Sequence, residues 1–376
     1  MWISDAPNWL VTGSQILFVT TFFIQFLFVT LLFGRLAFYK SKANTSPFTP
    51  SVSIIVAARN EQENLSVLLP MLLKQSYPTF EIIIVNNHSQ DESKQVVEKF
   101  QSSHTNLRLI ELNDYSAQLH GKKYPLSVGI EQAQYDHFLF TDADCRPAST
   151  DWLRSMASSF SDSHELVLGY GPLFKERGFL NRCFRFDATW IGMNYFSFAL
   201  ANIPYMGVGR NIAYTRKVYN SVNGFNAHSH ISSGDDDLFV QDAANKTQAK
   251  IQIHPNSFCP SGAEKSLKDW LHQKARHYTT AGNYKVFKKA LLGIYPMSLF
   301  LLHVSFVILS LLDVNWIFSC PAMVFILLLK WWIQGKAMVK LDEKGFALFF
   351  PFWDLMYAIS IPVVYVTQLR KPKNKW

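Results

Sequence analysis

Two aspartates, Asp142 and Asp144, stand one residue apart in "FLFTDADCRP", directly after an apolar and aromatic run. Two carboxylates that close repel each other unless a cation lies between them. Mg²⁺ and Mn²⁺ prefer oxygen ligands and readily bridge one or two carboxylates to the phosphates of a substrate. A pair standing alone would as readily be two solvated aspartates in a loop, so its surroundings must decide.

Other polar groups gather at comparable points of the chain. Arg59, Asn60 and Glu61 follow one β-branched run, and Asn86 and Asn87 close another. Three consecutive aspartates, Asp235 to Asp237, stand in "NAHSHISSGDDD" beside His228 and His230. With no cysteine near them, these histidines read as surface or acceptor-site groups rather than metal ligands. The four cysteines form no CxxC pair and no secreted-scaffold spacing, so they are expected to be reduced and structural.

The elements that carry these groups alternate. "SVSIIVAARN", "FEIIIVNNHS", "LRLIEL" and "HFLFTDAD" read as strands, the first two apolar enough to be buried on both faces. "NEQENLSVLLPMLLKQ", "QDESKQVVEKFQSS" and "GKKYPLSVGIEQAQ" read as helices between them. Such alternation predicts right-handed crossovers and an α/β fold with a mostly parallel, Rossmann-like sheet and flanking helices. Ligands bind such sheets beyond the carboxyl ends of the strands, where the polar clusters fall.

The 376 residues are 49% hydrophobic and 15% aromatic, and only 17% are charged, a balance that points to membrane segments. The net charge of +8 comes without a basic stripe interleaved with stacking aromatics, which argues against a nucleic-acid partner and for an anionic bilayer surface. Gln15 to Phe33 is an uncharged run long enough to span. Arg35, Lys40 and Lys42 follow it, which predicts a cytoplasmic domain after it. Ala290 to Leu312 and Val314 to Trp332 read as a second and third span, a hairpin around Asp313. Phe346 to Leu369 has basic flanks on both sides and contains Asp354, so spanning and re-entrant readings both stand. Gly178 to Leu200 is open to two readings, an interfacial amphipathic helix or a core helix. The domain plan is thus a transmembrane helix and linker at 1–49, an α/β domain at 50–264, an interfacial helix at 265–289 and a transmembrane region at 290–376.

The order of "SIIVAARNEQENL", "EIIIVNNHSQD", "GKKYPLSVGI", "LFTDADCRP", "GVGRNIAYTRKVYNSVNGFN", "SGDDDLFVQ" and "QKARHY" resembles family 2 glycosyltransferases of the GT-A fold. The resemblance is to the membrane-embedded branch, with cellulose, hyaluronan and poly-N-acetylglucosamine synthases and ceramide glucosyltransferases. It implies that Asp142 and Asp144 are the family's DxD, meeting Mg²⁺ or Mn²⁺ on a nucleotide diphosphate. Arg59, Asn60 and Glu61 match the first nucleotide-binding stretch, and Lys122 and Lys123 the segment beside the diphosphate. Asp235 matches the base position, with Asp236 competing because the three-aspartate run permits a one-residue shift. Gln273 and Arg276 match a QxxRW motif lining the acceptor entrance.

Two positions depart from the family pattern. Asn86 and Asn87 stand where an Asp usually accepts from uracil N3–H, although an amide oxygen can also accept. His277 replaces the Trp of QxxRW, which leans against long-chain polymer synthesis. The resemblance therefore implies an inverting membrane glycosyltransferase, with a UDP sugar as the expected donor and a lipid or saccharide acceptor. It would be a multi-pass protein of a bacterial inner membrane with its catalytic domain in the cytoplasm. A processive synthase and a non-catalytic nucleotide-sugar-binding subunit are the alternatives.

Overall fold

The computed structural model describes residues 7–40, 48–112, 121–231 and 233–369, apart from the side chains at 276–279, 361 and 363–369. The chain divides into two units. One takes in the chain up to Tyr39 and from Lys285 onward, and the other runs from Lys40 to Tyr284.

The second unit is built on a seven-stranded sheet. Its strands are β1 (Val52–Ala58), β2 (Phe80–Asn86), β3 (Leu107–Glu111), β4 (His137–Phe140), β5 (Leu166–Gly169), β6 (Ile212–Thr215) and β7 (Ala249–Gln252), in the order β3-β2-β1-β4-β6-β5-β7. β3, β2, β1 and β4 are mutually parallel, so their carboxyl ends share one edge. β6 is antiparallel to both β4 and β5, and β7 is parallel to β5. The sheet is mostly parallel, as the alternation of elements predicts.

β1 and β2 are buried on both faces. On one face Ile54 and Val56 meet Leu65, Leu68 and Leu72 of helix Gln62–Leu73 together with Trp152 and Met156. Burying each such side chain contributes about 1.5–3 kcal/mol. The opposite face takes helix Lys123–Glu131 at close range. A Cβ built on Gly129 would lie 2.7 Å from Ile55 Cγ2, so only glycine allows that approach. This contact fixes the start of the helix, where Lys122 stands, over the end of the sheet. Helix Phe179–Leu200 buries Phe184, Trp190, Met193, Phe196 and Phe198, which decides for the core-helix reading over the interfacial one.

In the first unit, Asn8–Ala37, Val286–Leu311 and Trp316–Lys340 are long and apolar enough to cross a membrane. A helix also runs from Phe350 to Leu369. Polar groups link all four. Lys330 Nζ lies 2.7 Å from Asp354 Oδ2, with both side chains 1% exposed. Lys330 also donates to Gln25 Oε1 at 3.2 Å, and Gln25 Nε2 donates to Tyr295 O and Ser298 Oγ. An ion pair this deep among apolar helices persists only because each charge answers the other. Lys330→Met strands Asp354 in apolar surroundings and should destabilise the detergent-solubilised protein by about 2.5–3.5 kcal/mol. Adding Asp354→Leu should recover most of the loss. Thermal unfolding of the single and double variants measures this, and a single variant as stable as the parent would refute it.

Candidate active site

β4 ends at Phe140, and the chain turns at once: Cys145 N donates to Asp142 O at 3.1 Å. Arg146 holds this turn. Its Nη1 donates to the carbonyls of Ala143 and Cys145 at 3.2 and 2.7 Å, and its Nη2 to Asn64 Oδ1 at 2.8 Å. Asn64 in turn donates to Glu61 Oε2 at 2.7 Å. The turn bearing the paired aspartates is thereby tied to the end of β1, a role for Arg146 and Asn64 that no motif spacing announced. Among the described residues, Lys122 answers the carboxylates at close range, its Nζ 2.8 Å from Asp142 Oδ1. Burial and the charge of Asp142 hold the Asp144 carboxyl above its ordinary range, against the pull of Lys122 and Arg210. Burial likewise raises Glu61, with Asn64 opposing and Asp144 adding to the rise.

The three-aspartate run approaches the same place. Gly234 sits at φ +97°, a conformation that side-chain-bearing residues rarely adopt, and so turns the chain into the run. The three carboxylates then divide. Asp236 accepts from Gly209 N at 3.0 Å and Asp237 N at 2.8 Å, one amide on each oxygen. Asp237 is buried and accepts from the hydroxyls of Thr280 and, at 2.7 Å, Tyr284. That anchors the run to the end of helix Leu267–Ala281. Asp235 is half-buried, and burial and the neighbouring Asp236 push it up to about 6, with Lys122 opposing. Burial, then Asp237, raises Asp236 also. Lys122 lies in the field of both sets. Burial works against its charge, yet Asp142, Asp235 and Asp144 together raise it above its ordinary range.

The remaining sequence candidates are distributed as follows. Lys123 is buried and donates to the carbonyls of His228 and Ile231 at 2.6 and 2.9 Å, so it fastens the loop ahead of the aspartates. Arg59 and Asn60 are exposed. Asn60, at φ +56°, accepts from Gln90 N and donates its own N–H to Ser89, locking the β1 end to the β2 end. Asn86 is buried and donates to Glu111 Oε1 at 3.0 Å, and its Oδ1 has no partner among the described residues. An unsatisfied buried acceptor costs about 1–3 kcal/mol. Asn87 is half-buried beside it, its N–H given to Ala58 O. His228 pairs with Asp242 at 3.0 Å.

Gln273 is half-buried on helix Leu267–Ala281. That helix is fastened to Phe179–Leu200 by stacking of Trp270 on Phe184 at 5.6 Å and by Lys274 donating to Asp187 at 2.6 Å. The side chains of Arg276 and His277, on the same helix, lie outside the described residues.

Among the described residues, no three or more His, Cys, Asp or Glu side chains assemble a complete metal cage. Asp142 and Asp144 offer oxygen donors only. Such a donor set fits Mg²⁺ or Mn²⁺ completed by substrate phosphates, the usual arrangement for these ions.

Comparison with known proteins bears on the family and the fold. Residues 53–221 match the model for glycosyl transferase family 2. Glycosyltransferase AglE of Haloferax volcanii is 32% identical over 122 residues, covering 32% of this chain and 38% of that protein. The poly-beta-1,6-N-acetyl-D-glucosamine synthase of Staphylococcus epidermidis is 31% identical over 112 residues, covering 30% of this chain and 25% of that one. The chain thus spans well under half the length of these curated relatives. Among solved structures, the mannosyltransferase PcManGT from Pyrobaculum calidifontis, in complex with GDP-Man and Mn²⁺, superposes with a TM-score of 0.60 at 16% identity. That match covers 97% of this chain and 100% of the other, and it shows a shared GT-A fold.

Proposed function

For a chain that carries a glycosyl transferase family 2 domain of the GT-A fold, we propose a membrane glycosyltransferase that inverts the anomeric carbon. It moves a sugar from a nucleoside diphosphate sugar to a lipid or membrane-proximal acceptor. The observation that carries this reading is the convergence of two acidic sets, Asp142 with Asp144 and Asp235 with its neighbours, on Lys122. One set suits a leaving diphosphate and the other a nucleophilic hydroxyl.

Inversion in one step needs a base on one side of the sugar and charge stabilisation on the other. Asp235 takes the proton of the acceptor hydroxyl as its oxygen bonds to the anomeric carbon, and the bond to the diphosphate oxygen breaks on the opposite face. Asp236, with an amide on each oxygen, holds the run in position for this. Lys122 stands ready to exchange Asp142 for phosphate oxygens. Asp142 and Asp144 would hold a bound Mg²⁺ or Mn²⁺, which supplies charge neutralisation for the departing diphosphate.

The reaction test uses the purified protein in detergent, a panel of nucleotide sugars, Mn²⁺ or Mg²⁺, and membrane lipid extract. Released nucleoside diphosphate together with labelled lipid is expected. Folded protein that turns over no donor would refute the proposal. The pH dependence gives a second check. A base raised to about 6 makes kcat/KM rise with pH through an acid limb near pH 6. Stability moves the other way. The folded state holds this proton more tightly than the unfolded chain, so the contribution of Asp235 is lost as pH climbs from about 4 through 6. A flat rate profile between pH 5 and 7 would contradict the assignment.

We read the charges after the first apolar helix as favouring a cytoplasmic α/β unit in a protein of a bacterial inner membrane. A cysteine introduced at Ser103 should therefore resist an impermeant thiol reagent on intact cells. Labelling from outside would reverse the orientation.

A further inference from the structure

We infer that Asn86 and Glu111 select the nucleobase of the donor and that they favour guanine over uracil. The inference rests on the donor reading above and departs from the UDP sugar that the family resemblance implies. The two residues are register partners at the carboxyl ends of neighbouring parallel strands, β2 and β3. They lie on the edge where β4 delivers Asp142. Adjacent strands are about 4.8 Å apart, which puts β2 about 10 Å and β3 about 14 Å from β4 along the sheet. A nucleoside diphosphate held at Asp142 and Lys122 is long enough to lay its base over those two strand ends.

The hydrogen-bonding character of the pair is unusual. Asn86 Nδ2 donates to Glu111 Oε1 at 3.0 Å, and a carboxylate can only accept, so this contact fixes which way the amide faces. Asn86 is 3% exposed, and its Oδ1 has no partner among the described residues. Glu111 is half-buried, and among the described residues its Oε2 is left to accept. Two acceptor oxygens, one of them buried and unsatisfied, call for a ligand with two adjacent donors.

Guanine presents N1–H beside its 2-amino group. Uracil presents one N–H between two carbonyl oxygens, and those oxygens would face the lone pairs of the protein. Adenine and cytosine each set an amino group beside a ring nitrogen that accepts. A site made of acceptors discriminates most strongly against the ligand that leaves them opposed or unpaired.

The test measures binding of GDP, UDP, ADP and CDP to the full-length protein in detergent with Mn²⁺ by titration calorimetry. GDP should bind about ten- to hundredfold more tightly than UDP, the ratio that one hydrogen bond to a charged group supplies. Glu111→Gln replaces an acceptor by a donor of the same shape. It should erase that ratio by weakening GDP while UDP holds or improves. UDP binding as well as GDP to the parent would overturn the inference and leave the donor reading standing. Equal weakening of all four nucleotides by Glu111→Gln, with a lowered melting temperature, would show that the pair only braces the strands, and would also overturn it. Folded protein that binds no nucleoside diphosphate would overturn both readings.

Discussion

Asp235→Asn should transfer sugar about 10²–10⁴-fold more slowly than the parent while binding the donor as tightly, because the loss of a general base acts on the chemical step. The substitution keeps the shape and removes only the basic oxygen. Its neighbours make the contrast informative. Asp236 gives one oxygen to Gly209 N and the other to Asp237 N, and Asp237 is held by Thr280 and Tyr284. These two act through the position of the run. Asp236→Asn should therefore lose less rate, and part of its loss should appear as lowered thermal stability. Single-turnover transfer measured beside donor binding separates the two effects. If Asp236→Asn is the inert variant and Asp235→Asn transfers well, the base is Asp236. If neither slows transfer, the one-step inversion drawn above is wrong.

Asp144→Asn should abolish metal-dependent donor binding, a loss of at least about a hundredfold, because even residues behind the ligands of a metal are worth ten- to a hundredfold in affinity. The fold should survive, and the protein without donor should be no less stable. Burial and the charge of Asp142 already disfavour the ionised carboxyl of Asp144, so removing that charge relieves a cost. Calorimetric titration of donor with Mn²⁺ into parent and variant, with melting curves of both, decides the matter. Unchanged affinity in the variant would end the metal role of the pair. Arg146 gives the adjoining control. Its guanidinium braces the turn through two carbonyls and Asn64 without reaching a carboxylate of the pair in the contacts described above.

Much of this protein is fixed by local sequence. β1 to β4 and the helices between them are legible because β-branched runs and 3.6-residue periodicity are properties of short segments. The parallel order follows from the alternation itself, and so does the edge at which Asp142, Asp144, Glu61 and Asn86 collect. The three longest apolar helices are legible for the same reason. β5, β6 and β7, "LVLG", "IAYT" and "AKIQ", are four residues each like β4 but lie outside the regular alternation of strands and helices that marks it. Their place in the sheet depends on partners distant in the chain.

Tertiary structure alone decided how neighbouring residues of one type divide their work. Lys122 and Lys123 are adjacent at a helix start, where one step turns the side chain by about 100°. One therefore meets Asp142, while the other is buried against the carbonyls of His228 and Ile231. The three consecutive aspartates separate in the same way, because amides and hydroxyls from Gly209, Thr280 and Tyr284 arrive from elsewhere in the chain. The pairing of Asn86 with Glu111 needs the register of β2 against β3, and the ion pair of Lys330 with Asp354 needs the packing of two helices. Sequence determines which residues can do chemistry and on which elements they ride. Which of them face one another is set by long-range packing, since burial and charge act through space rather than along the chain.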